Sequence, residues 1–232
     1  AYAPAVKEYW GADEFTTGFY NTTIARSLIK HVLKNPMNVS SNPDNNNHRN
    51  AALYQFDVLK EIPSIPGPKF VFVHVLLPHD PFVFDKNCNP ISEEVVNKNS
   101  HQVNYINQLQ CTNTHIIKII DNLMKGDKKP IIVLQSDEGP FPMNSSVDSN
   151  QSWSSATDTA LREKFPILNA YFFPEKEYSG TELYDGISPV NSFKVLFNTY
   201  FGTDYALLDD KSYIYEDKNN YYKFTDITDI VQ

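Results

Sequence analysis

Histidine and carboxylate side chains follow two short apolar runs in this sequence. The first run, KFVFVHVLL from Lys69 to Leu77, leads into the tetrapeptide PHDP, which contains His79. The second run, PIIVLQ, leads into SDEG, which contains Asp137 and Glu138. Imidazole and carboxylate groups bind divalent metals, and they also transfer protons in acid–base catalysis. These two clusters are therefore the candidate chemical groups of the chain.

Two strands joined by a long helix are predicted to position these groups. KFVFVHVLL is apolar at both alternating sets of positions, which is typical of a strand covered on both faces in a parallel sheet. HQVNYINQLQCTNTHIIKIIDNLMKG repeats apolar residues every three or four positions, which predicts a helix ending near Gly126. Such a βαβ unit has parallel strands, and ligands bind at their carboxyl ends. We therefore expect His79 and Asp137 at one sheet edge, within reach of one ion or small anion.

Further elements are predicted along the rest of the chain. Periodicity predicts helices over NTTIARSLIKHVLKNP and ALYQFDVLKEI, separated by a polar loop over Ser40–Asn50. PILNAYFF predicts a third strand, and the tail DKSYIYEDKNNYYKFTDITDIVQ predicts a short antiparallel hairpin. Ser188, Pro189 and Gly202 are typical of the start and end of one helix. The apolar repeat of the long helix consists of Val103, Ile106, Leu109, Ile116, Ile120 and Leu123. On the helix near the C-terminus, a buried stripe is predicted of Phe193, Leu196, Phe197 and Tyr200.

Each candidate group also has a purely structural interpretation. On spacing alone, His79 and the SDEG turn are as consistent with structure as with a site. His74 lies inside the apolar run, which favours a hydrogen-bonded core histidine. The remaining groups are predicted in structural roles: His101 and His115 on the surface, and Asp80 and Asp85 as loop caps.

Length and charge limit the classes of function. The 232 residues are 41% hydrophobic, which is enough for one sizeable core, and a single domain over residues 1–232 is predicted. The net charge of -8 and the absence of a basic stripe disfavour a nucleic-acid partner. No apolar run approaches the ~18 residues of a membrane-spanning helix, so no span is predicted.

The two cysteines, Cys88 and Cys111, do not have metal-ligand spacing. They are either two unrelated thiols or one disulfide that ties the loop after the first strand to the following helix. Four Asn-x-Ser/Thr triplets favour the cell exterior only weakly in a chain so rich in asparagine. These triplets begin at Asn21, Asn38, Asn144 and Asn150.

The order of several blocks resembles the C-terminal half of sulfatase-like hydrolase/transferase domains of the alkaline phosphatase superfamily. From Ile62 to Tyr213 the blocks are IPSIPGPKFVFVHVLLPHDPFVFD, YINQLQCTNTHIIKIIDNLM, PIIVLQSDEGP, FPILNAYFFP, ISPVNSFKVLFNTYFG and DDKSY. The resemblance implies a three-layer α/β/α sandwich around a mostly parallel sheet. It also implies cleavage or transfer of phosphate or sulfate esters with a divalent metal such as Mn, Mg, Ca or Zn. Such domains are extracytoplasmic, and anchoring is expected through a region outside this chain.

The resemblance also implies roles for three residues. The second strand of the family usually ends in Asp-His-Gly, with the Asp and His as metal ligands. Asp137 matches that Asp, and Glu138 stands where the His is expected. A glutamate offers oxygen to Mn²⁺, Mg²⁺ or Ca²⁺, but it adds a negative charge. His79 matches a histidine that in the family faces the transferred group or a metal. Its expected catalytic role is to hydrogen-bond the transferred group or to protonate the leaving group.

One part of the family pattern has no counterpart in the sequence. The nucleophile and the first acidic ligand of the family lie on upstream strands, and residues 1–68 contain no such strand. The hydroxyls of Thr16, Thr17, Thr22 and Thr23 are better explained as helix caps. The chain is therefore predicted to be the C-terminal portion of a larger sulfatase-like domain, inactive without the N-terminal half. The alternative is a non-catalytic sulfatase-like module that binds a glycan or a protein at the cell surface.

Overall fold

A computed structural model describes residues 45–140, 153–174, 183–215, 220 and 222–232. The first predicted helix and the four Asn-x-Ser/Thr triplets lie outside these residues. The chain divides into two compact units, residues 1–127 and 128–232, and each is described by itself. Helices and short strands are mixed along the described residues, in agreement with an α/β protein. Both sheets found in these residues are two-stranded and antiparallel, and no parallel pair occurs among them.

The described residues of the first unit, 45–127, form helices and one long loop. In chain order these helices are α1 (Asn45–Glu61), a 3-10 turn (Ile62–Ser64), α2 (Glu93–Lys98) and α3 (His101–Leu123). Helix α1 confirms the prediction for ALYQFDVLKEI but begins at Asn45, inside the segment predicted as a loop. Helix α3 confirms the long helix. The Ser100 hydroxyl accepts a hydrogen bond from the Val103 N–H and so caps its first turn.

The core of the first unit joins the two long helices to the loop between them. Its buried members are Ala52, Phe56, Leu77, Val83, Phe84, Cys111 and Ile119. Cys88 and Cys111 form a disulfide that links the loop to α3, so the disulfide alternative is confirmed over two unrelated thiols. Because this bond closes a chain segment with a sequence separation of 23, it restricts the unfolded chain and stabilises the unit.

Helix α3 buries amide side chains together with part of its apolar repeat, since Ile116 and Leu123 pack against the core. Its buried side chains are Asn104, Gln108, Cys111, Thr112 and Ile119, whereas Val103 and Ile106 are exposed. His101 is exposed as predicted, but His115 is half-buried and its ring stacks on Phe56 with centroids 4.5 Å apart. This burial lowers the pKa of His115, and the charges of Lys60 and Lys118 lower it further. Apolar periodicity did not reveal this face, because amides are part of it.

Residues 69–76 form no strand, contrary to the prediction from their composition. Phe70 and Phe72 are 85% and 80% exposed, and His74 is also exposed, so the prediction of a core histidine there is wrong. The Gln55 amide donates to the His74 carbonyl at 2.9 Å. A strand exists only with a hydrogen-bonded neighbour, and none of the strands described here pairs with this segment. The predicted parallel βαβ unit is accordingly not found in the described part of the chain.

The described residues of the second unit form two antiparallel strand pairs and short helices. In chain order these elements are β1 (Ile132–Gln135), a 3-10 turn (Trp153–Ser155), α4 (Asp158–Lys164), β2 (Asn169–Phe172), α5 (Pro189–Phe201), β3 (Tyr213–Tyr215), β4 (Phe224–Asp226) and α6 (Thr228–Val231). Strands β1 and β2 pair with Ile132 opposite Phe172 and Gln135 opposite Asn169. Strands β3 and β4 form the predicted C-terminal hairpin, with Tyr213 opposite Asp226.

Helix α5 begins and ends where the sequence predicts. Ser188 is the N-cap residue, Pro189 occupies the first turn, and Gly202 has the left-handed φ of 67° at the C-cap. The cap interaction comes from a distant residue, because the Asp210 carboxylate accepts the Ser188 N–H at 2.7 Å. The buried face is Asn191, Ser192, Val195 and Leu196, whereas Phe193 and Phe197 of the predicted stripe are exposed. Within the described ranges, no helix has the length and apolarity needed to cross a membrane.

Candidate functional site

His79 lies in an exposed turn directly after the buried residue Leu77. Its Nδ1 is 2.8 Å from Asp80 Oδ1 and 2.6 Å from the Asp80 carbonyl oxygen. Both neighbours accept hydrogen bonds, so the neutral ring carries its proton on Nδ1 and leaves Nε2 as an acceptor. The Asp80 side chain thus sets the tautomer of His79, a role that the loop-cap prediction did not include.

The backbone on both sides of His79 is held by the buried side chain of Gln108. Its Nε2 donates to the carbonyl oxygens of His79 at 2.8 Å and Pro78 at 3.2 Å. Its Oε1 accepts from the N–H groups of Val83 at 2.7 Å and Phe84 at 3.3 Å. One amide therefore satisfies both donors and acceptors of a loop that lacks secondary structure, as buried backbone groups require.

Gln108 was not predicted from the sequence as a positioning residue. The available signal is its place on α3, since Asn104, Gln108 and Cys111 recur at helical spacing and are all buried. A polar residue at a core position implies a buried partner for its amide. The sequence does not identify that partner, which here is a loop 24 to 30 residues upstream.

Asp85 closes the next turn of the same loop. Its Oδ1 accepts from the N–H groups of Asn87 and Asn89, both at 2.8 Å, and its Oδ2 accepts from the Asn89 side chain at 3.0 Å. The side-chain hydrogen bond from Asn89 lowers the pKa of Asp85, and the backbone donors lower it further. The prediction that Asp85 is a loop cap is confirmed.

The Asp137 turn follows β1 in the second unit. Ser136 fixes its start, because its N–H donates to the Leu168 carbonyl at 2.9 Å and its hydroxyl accepts the Leu168 N–H at 3.0 Å. Asp137 and Glu138 are exposed, and Asp137 Oδ1 accepts the Glu138 N–H at 3.0 Å. The backbone of the turn is thus tied to the segment that leads into β2.

Gly139 allows the turn to approach the end of α4 closely. Its N–H donates to the Lys164 carbonyl oxygen at 2.9 Å. A Cβ at this position would lie 2.6 Å from the Pro166 carbonyl oxygen and 2.8 Å from that of Glu163, and it would also overlap the Lys164 carbonyl. Only glycine fits between these three backbone oxygens, so close packing explains why residue 139 is glycine.

The side chain of Lys164, at the end of α4, contacts the Asp137 turn. The residue is only 8% exposed, and its Nζ lies 2.7 Å from Glu138 Oε2 and 3.2 Å from the Gly139 carbonyl oxygen. Helix α4, which carries it, is capped by Thr157, whose hydroxyl accepts the Ala160 N–H. Lys164 is a second residue that the sequence did not identify, since a lysine at a helix end is usually a solvated charge.

The residues around the turn do not by themselves fit a divalent metal. Glu138 is paired with Lys164, and one oxygen of Asp137 accepts a backbone N–H. Throughout the described ranges, the one group of three or more close His, Cys, Asp or Glu ligand atoms is Cys88, Cys111 and His115, and its sulfurs form the disulfide. A metal site on Asp137 and Glu138 would need further ligands and the release of Glu138.

The predicted site residues fall in different units, His79 in the first and Asp137 with Glu138 in the second. The predicted meeting of His79 and Asp137 at one sheet edge stays a prediction.

A comparison with protein families identifies the chain. A family model described as Sulfatase matches residues 3–167, which is more than two thirds of the 232 residues. The chain belongs to the sulfatase family. The matched region contains the His79 loop, the Asp137 turn and Lys164, so both candidate clusters belong to the sulfatase region. It begins well upstream of Ile62, where the block resemblance begins.

This match confirms the resemblance to sulfatase-like domains and supports a hydrolase that acts on an ester. The sulfatase match ends before β2, so the strands and helices from residue 168 onward lie outside it. No curated protein and no solved structure matches the chain. Residue roles therefore rest on the geometry of the sulfatase loops themselves.

Proposed function

We propose that this sulfatase-family chain is part of a hydrolase or transferase acting on phosphate or sulfate esters. The observation that carries the proposal is one continuous family match that contains both the His79 loop and the Asp137 turn. The complete domain is proposed to be a three-layer α/β/α sandwich with a mostly parallel sheet. The exposed apolar side chains of residues 69–76 support further protein packed against this segment in the complete domain.

His79 is the proposed proton-transferring residue. Nδ1 of His79 donates its hydrogen bond to Asp80, so Nε2 is the ring nitrogen that remains available to the substrate. The neutral ring accepts a proton from an attacking hydroxyl or water at Nε2, and the protonated ring donates one from there to a leaving ester oxygen. Because the site is exposed, the hydrogen bond from Nδ1 to Asp80 orients the ring and contributes little to stability.

Gln108 is the proposed positioning residue for this reaction. It touches no reacting atom, and it acts by holding the carbonyl oxygens of Pro78 and His79 and the N–H groups of Val83 and Phe84. A loop fixed in this way presents His79 without reorganisation when a substrate binds.

Divalent-metal dependence of the complete enzyme is proposed from the family alone. The described ligand set does not fit such an ion, so no step of the reaction is assigned to it here. Asp137 is the carboxylate that we propose as a contribution of this chain to a metal site, with further ligands from the rest of the domain.

We also propose that the domain functions outside the cytoplasm, on a protein anchored elsewhere in its chain. The disulfide between Cys88 and Cys111 supports this location, because disulfides persist in oxidising compartments and are rare in the cytosol. The ester is then a component of an envelope or surface polymer, or a soluble extracellular molecule.

One observation favours a second candidate, a non-catalytic module that binds a glycan or protein. The pairing of Glu138 with Lys164 removes one carboxylate from the turn in which the family places its metal ligands. A sulfatase scaffold without a working metal site retains its loops and loses its turnover. The two candidates differ in whether any ester is cleaved.

Turnover of p-nitrophenyl phosphate, bis-p-nitrophenyl phosphate and p-nitrophenyl sulfate distinguishes these candidates. We expect none from the 232-residue chain and measurable turnover from the longer protein that carries it, with Mn²⁺, Mg²⁺, Ca²⁺ or Zn²⁺ supplied. In that protein, His79→Ala should lower kcat about 10²-fold or more with little change in KM. His101→Ala, an exposed histidine on α3, is the matched control and should leave kcat unchanged. Full activity of His79→Ala would exclude the assigned role, and glycan binding without turnover would favour the binding module.

A further inference from the structure

Three potential metal ligands lie close together beside the core of the first unit. The sulfurs of Cys88 and Cys111 and a ring nitrogen of His115 all lie within 4.8 Å of one another. Cys111 and His115 are about one turn apart on α3, so they lie on the same face of the helix. Two cysteines and one histidine are the ligand set of an open zinc site, in which water or another small ligand takes the fourth position.

His115 is the member of this group that packing alone does not explain. Its Nδ1 is buried, and no described residue forms a hydrogen bond with it. A buried nitrogen without a partner costs free energy, whereas a phenylalanine ring could stack on Phe56 without that cost. Burial also lowers the pKa of His115, and the charges of Lys60 and Lys118 lower it further. The imidazole is therefore neutral at neutral pH, which is the form that binds a metal.

The positions of the three ligands are set by elements that do not require the disulfide. The Cys88 N–H donates to the Asp85 carbonyl oxygen at 3.0 Å, within the turn that the Asp85 carboxylate closes. Cys111 and His115 lie in the interior of the 23-residue helix α3, and Cys111 is fully buried. Opening the bond thus leaves two thiols and one imidazole close together.

We infer that reduction of the Cys88–Cys111 disulfide creates a zinc site on Cys88, Cys111 and His115. A dithiol reductant supplies two electrons and two protons to the sulfurs and is itself oxidised to a disulfide. Zn²⁺ then displaces the two thiol protons, which are released to solvent, with no further change in oxidation state. The bound ion joins the loop to α3 where the disulfide joined them before, so the first unit has two alternative cross-links.

This inference goes beyond the proposed ester hydrolysis and does not rest on it. Zinc binding by these three residues is measured without any ester, and its failure would leave the proposed role of His79 standing. It also agrees with a location outside the cytoplasm, because the disulfide is the form expected there. The zinc form arises only where a dithiol reductant opens the bond.

Titration of the reduced 232-residue chain with Co²⁺, a spectroscopic substitute for zinc, tests the site. A phosphine reductant opens the bond without adding competing thiols. We expect a thiolate-to-cobalt charge-transfer band and the intense visible bands of tetrahedral Co²⁺, both lost when Zn²⁺ displaces it. The oxidised chain should show neither band. Their absence from the reduced chain would overturn the inference, because metal binding is coupled to folding and a true site would order the reduced chain.

His115→Phe separates the ligand role of His115 from its stacking role. The variant keeps a ring against Phe56 and removes the ligand nitrogen. In the reduced chain we expect it to weaken Co²⁺ binding at least about tenfold. His101→Phe, at an exposed position of the same helix, is the matched control and should bind Co²⁺ as the wild-type chain does. Equal affinity in His115→Phe and the wild-type chain would show that His115 is not a ligand, and the inference would be wrong.

A second measurement needs no variant. Because an ion that binds only the folded chain stabilises it, Zn²⁺ should raise the melting temperature of the reduced chain by several degrees. The oxidised chain has no thiolates to offer at this position, so Zn²⁺ should leave its melting temperature unchanged. If the reduced chain melts at the same temperature with and without Zn²⁺, the ion does not join the loop to α3, and the inference fails.

Discussion

The His79 loop and the Asp137 turn are fixed by different physical means. Around His79, the neutral amide of Gln108 bonds to carbonyl oxygens and N–H groups of a loop without secondary structure. Around Asp137, a glycine at close backbone contact and a buried lysine hold the turn. The first arrangement carries no net charge at its centre. The second depends on an ion pair.

This difference shows how two candidate loops in one family domain can respond differently to the same change. A neutral amide network loses stability when a donor or acceptor is left unpaired, and pH in the ordinary range does not change it. A buried ion pair loses stability when either charge is removed. Variants that remove one support at a time therefore test whether the two loops are really held in these two ways.

The largest effect is expected for Gly139→Ala in the second unit. The added Cβ would overlap three carbonyl oxygens, and the backbone must separate to accommodate it, which should cost about 3 kcal/mol or more. Gly67→Ala is the control, because Gly67 has a φ of 88° but open space around it and should cost about 1 kcal/mol. Urea unfolding measures both. Equal costs would show that the close approach at Gly139 does not hold the turn.

Removal of the disulfide should have the next largest effect, and it should act on the first unit. Cys88→Ala is expected to lower the free energy of unfolding by about 3 kcal/mol, given the length of the closed segment. Hydrogen exchange should show lost protection around Phe84 and Ile119, since both cysteines of the chain lie in this unit. Titration of thiols under denaturing, non-reducing conditions should find none. Two reactive thiols would contradict the bridge.

Gln108→Leu tests the neutral support of the His79 loop. The variant replaces the amide by an apolar group of similar size. The Val83 and Phe84 N–H groups then lose their acceptor, at a cost of about 2 kcal/mol in the free energy of unfolding. Gln110→Leu, at an exposed position on the same helix, should change the unfolding free energy by less than about 0.5 kcal/mol. The same stability in both variants would mean that the amide does not position the loop.

Asp85→Asn is expected to have the smallest effect and a specific pH dependence. The pKa of Asp85 is lowered below its ordinary 3.8 by the Asn89 side chain, so the ionised carboxylate stabilises the folded loop above that value. This contribution is lost as the pH falls through the lowered pKa. The variant should cost about 1 kcal/mol at neutral pH and less near pH 2. Melting curves between these limits should converge, and Asp121→Asn, an exposed control, should show no such convergence.

The helices and caps of this protein were largely predictable from its sequence. The long helix α3, the boundaries of α5 at Ser188 and Gly202, and the C-terminal hairpin all appear as predicted. Each depends on periodicity, on capping hydrogen bonds or on turn residues within a few positions of one another. The roles of His79, Asp137 and Glu138 stay predictions, which rest on chemical groups that follow apolar runs in the sequence.

Residue type and local spacing predicted α3, α5 and the C-terminal hairpin, and the order of sequence blocks resembled the sulfatase family. Only the tertiary structure decided that residues 69–76 form no strand, that β1 pairs antiparallel with β2, and that α3 buries Gln108. It also decided that Lys164 is paired with Glu138. These features join residues that are distant along the chain, and a strand, a buried amide or a buried charge is stable only with its partner. The sequence contains both partners, but it does not state which of them meet.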